Sequence, residues 1–275
     1  MQQLPLPVPL DGPPSSLPSL WSLGNVAGPG EAVREIRVAA PPGYHPLTGP
    51  SLPVLYLQDG QNLFDPATSF SGHWQVLETM AELGAAHPML VVGVPNRGKG
   101  RLKEYSPFDD AIRGVGEGVG YLKWLSTVVK PLVDRSFRTR PERIHTAVGG
   151  SSMGGLFALY ALVGGAATFG SAVVMSPALW YADCAIFRWL RRQPGPVGQL
   201  YLDVGWQEGE DTVYDTRRMH DMLLDRGWTL DHSLQYHEDT EGDHDEGSWA
   251  RRLRERWGDV VAMVGGGDRV VGRRS

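Results

Sequence analysis

Apolar and polar positions fall into alternating blocks along this chain, and the period within the blocks switches between two values. Short runs rich in β-branched and other apolar residues read as strands at 34–39, 53–58, 89–94, 143–148, 171–175, 199–204 and 230–237. Between them, apolar residues recur every three or four positions, which predicts helices at 74–83, 119–134, 153–162, 185–192, 212–226 and 248–264. The last of these shows the period well, with Trp249, Leu253, Trp257, Val260, Val261 and Val264 on one stripe, a core face. Strands that alternate with helices predict an α/β fold whose central sheet is mostly parallel and covered by helices on both faces. Residues 1–30, rich in Pro, Gly and Ser, read as an extended N-terminal arm; 31–264 read as a single domain, and 265–275 as a flexible tail.

At 275 residues with 41% apolar side chains, the chain has material for one large domain with a sheet buried on both faces. A net charge of −5 and a pI near 5.9, with no basic face concentrated anywhere, point away from nucleic acid and towards a small-molecule substrate. Cys184 is the only cysteine, so no intrachain disulfide forms. The N-terminus lacks the basic and long apolar stretches of a secretory signal, and no apolar run reaches membrane-spanning length. These features lead us to expect a cytoplasmic protein with no membrane partner; the oligomeric state is not legible.

Candidate chemistry enters at residues 149–155, Gly-Gly-Ser-Ser-Met-Gly-Gly, between a predicted strand and a predicted helix. This is the G-x-S-x-G pattern in its strand-turn-helix context, with Ser152 as candidate nucleophile and Gly150 and Gly154 as the small residues a sharp turn needs. In open α/β sheets the working groups gather at the carboxyl ends of strands. The strand at 53–58 runs into Asp59-Gly60-Gln61-Asn62, where the N–H of Gly60 or Gln61 is placed to join that of Met153 in an oxyanion hole. The strand at 199–204 runs into a loop with three competing carboxylates, Glu208, Glu210 and Asp211; Glu208 is preferred because Asp211 is well placed to cap the next helix. Among eight histidines, His244 lies in the polar loop after the last strand, which completes the order Ser, acid, His. His237, Asp239, His244 and Asp245 crowd together, but no metal-ligand spacing appears, so neither metal nor cofactor is expected.

The stretches "REIRVAAPPGY", "PVLYLQDGQNLFD", "RLKEYSPF", "KPLVDRSFRTRPERIHTAVGGSSMGGLFALYA", "VMSPALW", "YLDVGWQEGED" and "GDHDEGSWARRL" resemble the "putative esterase" (esterase D-like) family of the α/β-hydrolase superfamily. The group includes S-formylglutathione hydrolases, siderophore esterases, feruloyl esterases and mycolyltransferases, and the match covers about residues 33–257. The resemblance implies an α/β-hydrolase fold and a serine carboxylic-ester hydrolase with Ser152 as nucleophile, Glu208 as triad acid and His244 as general base. It makes Gln61 and Met153 the oxyanion N–H donors and puts Trp180, in "SPALW", beside the substrate. Many members have Asp where Glu208 stands. Enterobactin-type siderophore esterases carry an N-terminal β-domain where this sequence has a short arm, and S-formylglutathione hydrolases differ in the first loop signature. Acyl transfer to a sugar or alcohol, or a non-catalytic binding role on the same scaffold, are the alternative readings.

Overall fold

Three of the apolar runs, Val54–Gln58, Leu90–Val94 and Ser171–Met175, are buried at every position, as strands covered on both faces must be. The computed structural model describes residues 8–10, 16–70 and 72–266. Its strands are β1 (Val8–Pro9), β2 (Ser19–Ala27), β3 (Val33–Ala40), β4 (Val54–Gln58), β5 (Leu90–Val94), β6 (Thr146–Ser151), β7 (Ser171–Met175), β8 (Gln199–Gly205) and β9 (Leu234–Asp239). They form one sheet in the order β1-β2-β3-β5-β4-β6-β7-β8-β9. From β5 to β9 all neighbours pair in parallel, and β1, β2 and β3 add an antiparallel edge. The order reverses around β4, which lies between β5 and β6. A crevice therefore opens where the ends of β4 and β6 diverge to opposite sides.

The helices are α1 (Val76–Leu83), α2 (Arg101–Tyr105), α3 (Gly118–Trp124), α4 (Lys130–Ser136), α5 (Met153–Gly164), α6 (Tyr181–Leu190), α7 (Glu210–Asp225), α8 (Glu246–Glu255) and α9 (Trp257–Gly265). α3 and α4 are joined without a break by a π-helical turn, Leu125–Val129. Two cores form, one on each face of the sheet. One packs Tyr105, Tyr121, Phe157 and Phe187 against the sheet, and the other packs Trp74, Trp249 and Trp257.

Four sequence expectations change. The strand expected at 143–148 runs instead as Thr146–Ser151, because Arg143–His145 form a 3-10 turn in which His145 N donates to Glu142 O. Ser19–Ala27, assigned to an extended arm on composition, is a strand of the sheet, because Leu20, Trp21 and Leu23 bury their side chains while its backbone pairs with β3. The strand expected at 230–237 starts only at Leu234: Thr229 O accepts the N–H groups of His232, Ser233 and Leu234, and this turn takes up the preceding residues. The helix expected at 248–264 is two helices, parted at Arg256 (φ −104°, ψ 7°), although every residue of its apolar stripe is buried as expected. The tail expected at 265–275 lies outside the described residues from 267 onwards.

One buried ion pair ties the antiparallel edge to the helical layer. Arg34 of β3 donates to Glu104 of α2 at 2.5 Å and to the Pro95 carbonyl at 3.1 Å, with side chains only 3% and 1% exposed. Its guanidinium also lies 5.0 Å from the Trp124 ring centre. Removing one partner of such a pair leaves the other charge buried and uncompensated. Glu104→Ala is therefore expected to lower stability by about 3–5 kcal/mol, read as an earlier midpoint in urea unfolding, with Glu104→Gln less damaging.

Candidate active site

Ser152 sits at the tip of the turn from β6 into α5 with φ 55° and ψ −120°, a backbone conformation that costs a non-glycine residue energy and persists only when its surroundings hold it. Its N–H donates to Met175 O at 3.0 Å, and its carbonyl accepts from Ala178 N at 2.9 Å and Leu156 N at 3.0 Å. The turn closes only because of two glycines. A Cβ on Gly150 would lie 2.9 Å from the Gly154 carbonyl carbon, and one on Gly154 would lie 3.1 Å from Gln58 Cβ. Met153 is the first residue of α5, so its N–H has no partner within the helix and belongs to the helix's positive end.

The loop after β4 reaches the same crevice. Asp59 is left-handed (φ 57°, ψ 44°), and Gly60–Asn62 make a single 3-10 turn that contains Gln61. Gly60 cannot be replaced there without disturbance, since a Cβ would stand 2.5 Å from the backbone of Gly93 and Val94. The Asp59 carboxylate is clamped by Arg101, which donates to both oxygens at 2.8 and 2.7 Å, and by Asn96 Nδ2 at 2.6 Å. The Asp59 N–H donates to Tyr105 Oη at 3.0 Å. Gln61 is fixed at both ends: its carbonyl accepts from Thr68 Oγ1 at 2.8 Å and its side-chain carbonyl from Asn96 N at 3.2 Å.

Glu208 and His244 meet across the ends of β8 and β9. His244 Nδ1–H donates to Glu208 Oε2 at 2.8 Å; the Glu208 side chain is fully buried, whereas that of His244 is 40% exposed. The other Glu208 oxygen accepts from Ser176 Oγ at 2.5 Å, Gly205 N at 2.7 Å and Arg252 Nη2 at 3.2 Å. His244 rests edge-on against Trp249 at 5.0 Å, and its loop is fixed by the Asp245 cap on Ser248 N at 2.7 Å. The two loops can touch only because Gly205 has no side chain: a Cβ would be 2.2 Å from Gly242 O. Glu210 and Asp211 are exposed in the first turn of α7, away from this contact, and the α7 cap is Gly209 and not Asp211. His237 and Asp239 are engaged elsewhere, with Arg256 and Arg251. Trp180 stands 48% exposed, two residues past the Ala178 that binds the Ser152 carbonyl.

The sequence model of the "Putative esterase" family matches residues 31–260. The chain belongs to that family. It is similar to the uncharacterized protein YbbA of Bacillus subtilis, 23% identical over 72% of this chain and 81% of that one. It is also similar to the siderophore triacetylfusarinine C esterase of Aspergillus fumigatus, 29% identical over 49% of this chain and 47% of that one. The siderophore hydrolase EstA of Aspergillus nidulans has the same fold, with a TM-score of 0.68 at 22% identity over 93% of this chain and 97% of that one. This α/β-hydrolase is thus a carboxylic-ester hydrolase by family. Among the described residues no helix is long and apolar enough to cross a membrane.

Several residues of this esterase's site escape a reading by motif. Arg252 is fully buried and donates to Asp203 Oδ1 and Ser176 Oγ, each at 2.9 Å, besides Glu208. Trp249 Nε1, one turn earlier on α8, donates to the same Ser176 Oγ at 3.0 Å. The available signal was an arginine set beside the apolar stripe of Trp249 and Leu253, a position where a charge needs a buried partner. Asp203, at the end of β8, is wholly buried, and that burial pushes its carboxyl up to about 6 against the opposing pull of Arg252. A carboxyl raised on folding binds its proton more tightly in the native state, so its contribution to stability is complete below about pH 4 and is lost as the pH rises through about 6. Urea unfolding across this window is expected to show the wild type losing stability relative to Asp203→Asn as the pH rises; parallel curves would contradict the assignment.

Proposed function

We propose that this esterase hydrolyses small carboxylic esters through a Ser152–His244–Glu208 triad and an acyl-enzyme, with the N–H groups of Gln61 and Met153 as oxyanion donors. The observation that carries the reading is the 2.8 Å bond from His244 Nδ1 to a fully buried Glu208, in a chain whose family motif puts Ser152 on a strained turn. That bond fixes the tautomer in which Nε2 is free to accept a proton. Ser152 Oγ attacks the ester carbonyl as its proton passes to His244 Nε2. The negative charge that develops on the carbonyl oxygen falls to the two N–H donors and the positive end of α5. Collapse of the tetrahedral intermediate breaks the bond to the leaving oxygen, which takes the proton from His244 and departs as the alcohol. Water then attacks the acyl-enzyme by the same route, giving the carboxylic acid and restoring Ser152. The substrate passes Trp180, whose exposed ring offers apolar contact area at the entrance.

A series of p-nitrophenyl esters from acetate to palmitate tests this. Short-chain turnover is expected in the wild type. Ser152→Ala is expected to lower kcat by about ten-thousand-fold or more, and Glu208→Gln by about a thousand- to ten-thousand-fold through loss of the correct tautomer. Ser152→Ala should unfold at the wild-type denaturant concentration to within a small margin, whereas Glu208→Gln, which removes a buried partner of Arg252, should unfold earlier. Turnover retained by Ser152→Ala would overturn the triad.

A further inference from the structure

Beside the elbow, the loop between α2 and α3 brings a guanidinium onto two aromatic rings. Arg113 Cζ lies 5.2 Å from the ring centre of Trp180 and 5.5 Å from that of Tyr181. Those rings stand two and three residues past Ala178, whose N–H binds the Ser152 carbonyl. The segment after them is strained: Ala182, Asp183 and Cys184 are left-handed in succession, with φ of 51°, 53° and 55°. Such a run is costly for residues with a Cβ and fixes where Trp180 and Tyr181 point.

The turn that carries Arg113 is equally well held. Asp110 and Gly114 exchange two backbone bonds at 2.9 and 2.8 Å, and Asp110 Oδ1 accepts from Ile112 N at 2.9 Å and Arg113 N at 2.8 Å. One oxygen of each carboxylate in the turn is thus held by backbone donors, Asp109 Oδ1 accepting from Gly116 N at 3.0 Å. The Arg113 side chain is 36% exposed and makes one long contact, to Asp110 Oδ2 at 3.4 Å, which leaves it N–H donors for a further acceptor. Lys103 adds a second cation, its Nζ 3.4 Å from where a Cβ on Gly114 would stand. Tyr181 supplies an independent sign of a polar ligand: it is 1% exposed, yet its buried hydroxyl has no hydrogen-bond partner among the described residues. Exposed Ile112 and Val115 flank the cation with apolar surface.

We propose that Arg113, stacked on Trp180 and Tyr181, forms an anion-binding subsite that selects esters carrying a carboxylate or similar group on the acyl or the alcohol side. The proposal rests on the esterase reading above for its substrate chemistry. Arg113 is a specificity residue here: the aromatic faces keep the guanidinium flat and in place, and its remaining N–H donors take the anion in charge-assisted bonds. No charge changes hands in this step, and the hydrolysis itself is unaltered.

Two substrate pairs test it, mono-4-nitrophenyl succinate against 4-nitrophenyl butyrate and 4-acetoxybenzoate against 4-acetoxybenzamide. In at least one pair the ratio of anionic to neutral kcat/KM is expected to fall about tenfold in Arg113→Gln, mainly through KM, and to be partly restored in Arg113→Lys. Arg218→Gln, which removes a cation stacked on Phe187 instead, is expected to leave that ratio unchanged. Ratios unchanged by Arg113→Gln in both pairs, or lowered equally by Arg218→Gln, would overturn the subsite. Calorimetric binding of 4-acetoxybenzoate and 4-acetoxybenzamide to Ser152→Ala, with and without Arg113→Gln, separates this from the catalytic reading. Tighter binding of the anion that depends on Arg113 supports the subsite even if neither ester is turned over, and loss of that dependence overturns it, whereas hydrolysis that survives in Ser152→Ala counts against the triad alone.

Discussion

One buried cation, Arg252, ties α8 to the carboxyl ends of β7 and β8. It projects from α8 to the end of β8, where it binds Asp203 and Glu208, and to the residue after β7, where it binds Ser176. Taking a guanidinium fully out of water is expensive, and only the close approach of these acceptors offsets the cost. Geometry follows from that requirement. α8 cannot slide or rotate without stripping Arg252 of a partner, and His244 stands two residues before the first residue of α8. Trp249, on the same helix, packs against the imidazole and donates to Ser176, so the helix that fixes the acid also fixes the base.

The same cluster sets an electrostatic balance. Two carboxylates, Asp203 and Glu208, face one guanidinium, and burial pushes the Asp203 carboxyl up to about 6. In the proposed triad, an imidazolium on His244 meets the Glu208 side chain across a 2.8 Å bond. A lone glutamate would offer similar attraction with less directional control. Here three donors hold one oxygen of Glu208, so the other is the one presented to the histidine.

Much of this was legible from pattern. The fully apolar runs at β4, β5 and β7 could only be doubly covered strands, and the glycine-flanked Ser152 between strand and helix announced the elbow. The order of Ser152, Glu208 and His244 followed from which loops leave the carboxyl ends of the sheet. Other features were hidden for physical reasons. β2 was missed because Pro- and Gly-rich flanks dominate its composition, and its pairing with β3 is a tertiary event that local propensity does not encode. The break at Arg256 leaves the apolar stripe intact, so periodicity could not see it. Arg252, Ser176 and Asp203 belong to no motif. Their role appears only once α8 is laid across the ends of β7 and β8, and the left-handed run at Ala182, Asp183 and Cys184 depends on packing that no triplet of ordinary residues declares.

The strand order has a kinetic consequence. β4, which carries the Gln61 loop, pairs with β6, which carries Ser152, across a long stretch of intervening chain, and β8 and β9 with α8 join last in sequence. Parallel pairing of this kind closes large loops before any contact compensates for them, so such sheets form slowly. A nascent chain that has emerged only as far as Glu208 holds the Ser152 turn and the Glu208 carboxylate but lacks His244. Under the proposed triad, catalytic competence is the last property the polypeptide acquires, and hydrolysis reports completion of the fold more strictly than helix content does.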